Sequence, residues 1–60
     1  MNENTKIKYL FHNALGETVA MTFTILEVEG AVGGFMKMVQ KELDEMDFGK
    51  VTKVNRLLLL

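Results

Sequence analysis

The chain contains no cysteine and no serine, and His12 is its only histidine. Without thiols there is no disulfide framework. A closed zinc site needs four Cys or His ligands, and a single histidine cannot supply them. A hydrolase with a serine or cysteine nucleophile is likewise excluded within one chain. We therefore expect no metal, no cofactor and no catalytic residue, and we interpret His12 as a surface residue.

The sequence also lacks a long apolar run and an excess of charge of either sign. Seven basic and eight acidic residues leave a formal net charge of −1, so no global field draws the chain to nucleic acid or to an anionic membrane. No apolar stretch approaches the ~20 residues that span a bilayer, and no signal-peptide pattern is present. These absences predict a cytoplasmic protein with no membrane partner.

The chain is short for a fold that stands alone. At 60 residues, a domain buries only about 60% of the surface that its unfolded chain exposes. Small domains without disulfides or metals often gain stability from oligomerisation, and the hydrophobic content of 48% is high for so small an interior. We therefore predict a flexible N-terminus over residues 1–5 and one domain over residues 6–60, assembled as a homodimer or a larger oligomer.

Alternating apolar residues predict a β-hairpin in the first half of the chain. Ile7, Tyr9 and Phe11 define one face of a strand over residues 6–12. After a segment rich in turn-forming residues, a second alternating strand is predicted over residues 18–28.

The apolar phase of this second strand changes after Ile25, where Leu26 and Val28 become the apolar positions. Such a change indicates a bulge, a twist or a strand end that is covered from the opposite side. We expect Leu26 and Val28 to lie in a subunit contact.

Apolar residues spaced by three and four predict an amphipathic helix that begins near Val32 and stops at Gly49. The glycines before it are interpreted as a tight turn, because neither the Walker pattern nor the dinucleotide-binding glycine pattern is present. Met38 lies at the edge of the apolar stripe, where a partner would meet it. The polar side carries a candidate acidic partner-binding face, with a solvated helix face as the alternative, that consists of Glu42, Asp44, Glu45 and Asp47.

The chain ends in four consecutive leucines. A solvated leucine run is an aggregation hazard, so we expect a third strand in the sheet or pairing with another chain, with a helical continuation as the alternative. The predicted fold is a small α+β domain in the order ββαβ. The predicted interface consists of Leu26, Val28, Met38, Leu57, Leu58, Leu59 and Leu60.

These features predict a small non-catalytic protein-interaction module, and not an enzyme. A bacterial or phage accessory protein that inhibits or adapts a larger partner by occupying its surface would have this size and chemistry. Its partners would be a second copy of itself and another protein. The alternative is a small nucleic-acid-binding protein whose basic patch forms if the last strand lies beside the first, with the residues Lys6, Lys8, Lys53 and Arg56.

Overall fold

The computed structural model describes residues 5–59, with side chains described for residues 5–57. Residues 1–4 of the predicted flexible N-terminus and Leu60 of the predicted interface therefore lie outside the described residues, whereas the Thr5 carbonyl accepts a hydrogen bond from the Ile25 N–H at 3.1 Å. The fold is mixed α+β and agrees with the predicted ββαβ order, with one additional short helix. Its elements are β1 (Lys6–Asn13), β2 (Thr18–Thr24), α1 (Ile25–Glu29), α2 (Phe35–Glu45) and β3 (Val51–Leu59).

The three strands form one antiparallel sheet with β1 in the centre, in the order β2-β1-β3. In this register Phe11 lies opposite Val19 on one side and Val54 on the other. The leucine-rich C-terminal segment therefore continues as a strand through Leu59, and the helical alternative is wrong.

One face of the sheet, which we call the inner face, is covered by α2. Phe11 of β1 and the helix residues Val39 and Leu43 are completely buried. An aromatic cluster extends this core, because the ring of Phe35 lies 4.8 Å from that of Tyr9 and 5.0 Å from that of Phe23, centroid to centroid. The apolar residues that alternate along the strands and those spaced by three and four along the helix thus pack together in one core.

The second strand ends at Thr24 and does not extend to residue 28, which corrects the predicted boundary. The Thr24 hydroxyl accepts a hydrogen bond from the Glu27 backbone N–H at 3.1 Å, and the Glu27 carboxylate accepts one from the Thr24 N–H at 2.8 Å. This capping box starts α1 at Ile25. The change of apolar phase therefore marks the start of a helix and not a bulge or a twisted strand.

Helix α2 begins at Phe35, later than the predicted start near Val32. Val32 is 96% exposed, and the N-cap residue Gly34 has a φ of 105°. Because that φ is strained for any residue with a Cβ, Gly34 allows the sharp entry into the helix.

The C-terminus of α2 also differs from the prediction, because the chain leaves the helix before Gly49. Asp47 has a φ of 55°. The Phe48 N–H donates to the Leu43 carbonyl at 3.0 Å, and the Asp47 N–H donates to the Asp44 carbonyl at 3.1 Å. This pair of bonds is a Schellman motif with aspartate in the position that glycine usually takes.

Asn13 is the last residue of β1, one position beyond the predicted end of this strand, and is 6% exposed. Its amide nitrogen donates to the Glu17 carboxylate at 2.9 Å and to the Phe48 carbonyl at 2.6 Å. Its amide oxygen accepts the backbone N–H groups of Leu15 at 3.1 Å and Glu17 at 2.9 Å. One side chain therefore organises the hairpin turn and ties it to the segment that leads into β3.

We expect Asn13→Ala to lower the free energy of unfolding by about 2–3 kcal/mol, because it removes the four hydrogen bonds of a buried side chain. Thr22→Ala, which truncates an exposed polar side chain of β2, is the control and should cost less than about 1 kcal/mol. Urea unfolding followed by circular dichroism measures both variants. Equal losses for the two substitutions would contradict the structural role of Asn13.

The capping box predicts a pH effect. Hydrogen bonds from the Thr24 backbone and then its hydroxyl, together with the charge of Lys6, lower the pKa of Glu27 from its ordinary value of 4.5. Because the folded pKa is the lower one, this carboxylate stabilises the fold above pH 4.5, and its contribution is lost as the pH falls through the folded pKa.

We expect Glu27→Gln to unfold more easily than the wild type at neutral pH and to converge with it in acid. Glu29→Gln is the control, since Glu29 lies in the same helix but outside the capping box. Urea midpoints measured over a pH series test this, and parallel curves for wild type and Glu27→Gln would contradict it.

Candidate functional site

The face of the sheet opposite α2, which we call the outer face, carries basic and neutral side chains. None of the three strands contains an acidic residue. Lys6 and Lys8 alternate along β1, and the register places His12 opposite Lys53 of β3. Positive charge is therefore concentrated on this face, although the whole chain carries a formal charge of −1.

The predicted basic patch is only partly assembled by the fold. Lys6, Lys8 and Lys53 share the outer face, because residues directly opposite in an antiparallel pair lie on the same side of the sheet. Arg56 lies opposite Tyr9, whose side chain belongs to the buried inner face. Arg56 is exposed, but it belongs to the other side of the sheet.

His12 lies in a polar row that crosses all three strands on the outer face. Its Nδ1 is 2.9 Å from the Thr18 hydroxyl, and its Nε2 is 3.2 Å from the amide nitrogen of Asn55. If the amide donates to Nε2, the neutral ring carries its proton on Nδ1 and donates to Thr18. A hydroxyl beside an imidazole is the pairing that nucleophilic catalysis uses, but this pair stands on an open sheet face, where its evident effect is to link the strands.

The second candidate surface is the free edge of the sheet along β3. Within residues 5–59, no strand pairs with the other side of β3. Val54 is 38% exposed and Leu57 is 50% exposed. An edge strand with apolar side chains is a template for pairing with another strand.

Hydrogen bonds fix which main-chain groups of β1 face which neighbour, because successive residues of a strand point their N–H and C=O groups to opposite sides. The Asn13 N–H donates to the Glu17 carbonyl at 3.2 Å, and the Ile25 N–H donates to the Thr5 carbonyl at 3.1 Å. Odd-numbered residues of β1 therefore face β2, and even-numbered residues face β3.

The same alternation identifies the open groups of β3. Leu10 faces β3 and lies opposite Asn55, so the main-chain groups of Asn55 are directed towards β1. Those of Val54, Arg56 and Leu58 must then point to the open side. The edge offers these groups as unpaired donors and acceptors.

The predicted acidic residues are all exposed, but two of them have local structural roles. Asp44 accepts a hydrogen bond from Gln40 at 2.9 Å, and Asp47 forms the helix C-terminus described above. The Gln40 amide also donates to the Gly49 carbonyl at 2.9 Å and accepts the Val51 N–H at 3.0 Å. Gln40 therefore links α2 to the start of β3. Its place on the polar side of the predicted helix does not distinguish it from the other polar residues there.

The residues of the predicted interface are distributed over the fold. Leu26 is 58% exposed on α1, whereas Val28 and Met38 are partly buried and pack against the core. Leu57 lies on the outer face opposite Lys8, and the backbone of Leu58 and Leu59 continues β3. The fold thus brings the leucine segment, as far as Leu59, to one edge of the sheet, whereas Leu26 lies in α1, which follows the strand at the opposite edge.

Within the described side chains, no cluster of three or more histidine or acidic residues could hold a metal ion. Neither α1 nor α2 has the length and apolar character that a bilayer crossing requires. No protein-family model, curated protein or solved structure matches the chain.

Proposed function

We propose that this chain is a small non-catalytic protein-interaction module that works in the cytoplasm as a homo-oligomer. The observation that carries the proposal is the open edge of β3, which combines unpaired main-chain groups with exposed Val54 and Leu57. Main-chain pairing supplies affinity at such edges, and the side chains supply specificity.

A second protein would bind a surface that self-association through β3 leaves exposed. The helical part of the chain offers exposed Leu26, Met36 and Met46. Leu26 precedes Glu27, and Met46 lies between Glu45 and Asp47. Methionine adapts to irregular partner surfaces, and the acidic side chains favour a basic partner. This combination suits a bacterial or phage accessory protein that inhibits or adapts a larger protein by occupying its surface.

The edge proposal predicts that proline in β3 dissociates the oligomer. Arg56→Pro removes an N–H that points to the open side, so it should block pairing while the bonds between β3 and β1 persist. Thr22→Pro is the matched control on the opposite edge, because Thr22 lies opposite Lys8, whose main-chain groups face β3.

Light scattering over a concentration series should show a multiple of the 6.8 kDa chain for the wild type and for Thr22→Pro, and a monomer for Arg56→Pro. Circular dichroism confirms that each variant is folded. A wild-type chain that stays monomeric at every concentration would remove the oligomer from the proposed function.

A second function, nucleic-acid binding, is favoured by one specific observation. Lys6, Lys8 and Lys53 share a sheet face whose strands contain no acidic residue. Three phosphate contacts to a single strand would make the logarithm of the binding constant fall with that of salt concentration with a slope of about −2.

Fluorescence anisotropy with a labelled single-stranded oligonucleotide tests this second function. We expect changing Lys6, Lys8 and Lys53 together to glutamine to abolish binding. Changing Lys37, Lys41 and Lys50 to glutamine is the charge-matched control and should have little effect. If the wild type does not bind at low salt, the second function is removed.

A further inference from the structure

Strand β3 is nine residues long, and Asn55 is its midpoint. We propose that two copies of the chain pair antiparallel along β3, with the two-fold axis at Asn55, so that two three-stranded sheets join into one sheet of six strands. This inference rests on the proposed self-association and specifies its partner surface and register.

The open main-chain groups restrict the registers that are available. Val54, Arg56 and Leu58 direct their N–H and C=O groups outwards, so each must meet an outward-directed residue of the second copy. This requirement excludes every register in which an even-numbered residue faces an odd-numbered one. Among the remaining registers, only the one centred on Asn55 pairs all nine residues of the strand.

Charge disfavours two of the alternative registers. Centring the axis on Arg56 or on Lys53 would place two like charges directly opposite each other, which is destabilising. With the axis at Asn55, Arg56 lies opposite Val54 of the other copy, and Lys53 lies opposite its Leu57. The aliphatic stem of each long basic side chain then covers an apolar side chain while its charged end stays in water.

The exposed fractions of Val54 and Leu57, 38% and 50%, agree with this arrangement, because each gains a cover that the single chain does not provide. A two-fold axis also closes the assembly, since the same edge is used on both copies. Pairing of β3 with β2 of another copy would leave one free edge of each kind and would grow into filaments.

Cysteine cross-linking tests the axis directly, because the natural chain contains no cysteine. In the proposed dimer the two Asn55 residues form a non-hydrogen-bonded pair with Cα atoms about 4.5 Å apart, a separation that a disulfide spans. Asn55→Cys should therefore form a disulfide-linked dimer in nearly full yield under mild oxidation. Thr22→Cys, at an outer-face position of the other edge strand, is the control and should remain largely without an intermolecular disulfide, although it still associates through β3.

Charge substitution at Val54 tests the register independently. Val54→Glu would face Arg56 of the other copy with opposite charge, and Val54→Lys would face it with like charge. Each contact occurs twice, so the dimer of Val54→Glu should have a Kd about 2- to 30-fold lower than that of Val54→Lys. Adding Arg56→Glu to Val54→Lys should restore the affinity, and both single variants should unfold at similar urea concentrations.

The outcomes separate this inference from the function on which it rests. A chain that never self-associates overturns both the oligomer and the register. A chain that self-associates while Asn55→Cys does not cross-link, or while Thr22→Cys cross-links equally well, overturns the register and leaves the oligomer. Equal dimer affinities of Val54→Glu and Val54→Lys also overturn it, whereas selective cross-linking with charge rescue establishes it.

Discussion

Burial of the inner face of β1 beneath α2 is the interaction on which the rest of the structure depends. Phe11, Val39 and Leu43 are the largest completely buried side chains of the described residues, and truncating such a residue typically costs about 2–5 kcal/mol. A chain of 60 residues has few such positions. Because α2 is anchored over β1 and over Phe23 of β2, the inner side of β3 receives less cover, and Val54 remains 38% exposed.

Two amide side chains position that partly covered strand. Asn13 holds the Phe48 carbonyl, and Gln40 holds the Gly49 carbonyl and the Val51 N–H. Both act on the segment that leads from α2 into β3. The start of β3 is therefore held in place by hydrogen bonds. Because the strand is already ordered, pairing with another strand costs less conformational entropy.

The elements predicted correctly are those whose signal is local and periodic. Ile7, Tyr9 and Phe11 alternate as a half-buried strand must, and the three- and four-residue spacing marked α2. Helix α1 was missed because five residues show too little periodicity, and its real signal is the Thr24 and Glu27 pair.

The polar contacts were less accessible to sequence reasoning because they depend on distant partners. The bond between Asn13 and Phe48 joins residues 35 positions apart, and no local pattern contains both. The basic patch was predicted only as a conditional cluster. The alternation of side chains along β3 then determines which residues belong to the patch. Lys53 lies on the same face as Lys6 and Lys8, and Arg56 lies on the other face.

The absence of acidic residues from the three strands has an electrostatic consequence that the net charge hides. The shortest dimension of the molecule is 15 Å, whereas charges in physiological salt are screened over about 8 Å. An ion or molecule near one side therefore experiences mainly the charges of that side. An anionic molecule that approaches the outer face of this nearly neutral chain therefore experiences mainly the charges of Lys6, Lys8 and Lys53.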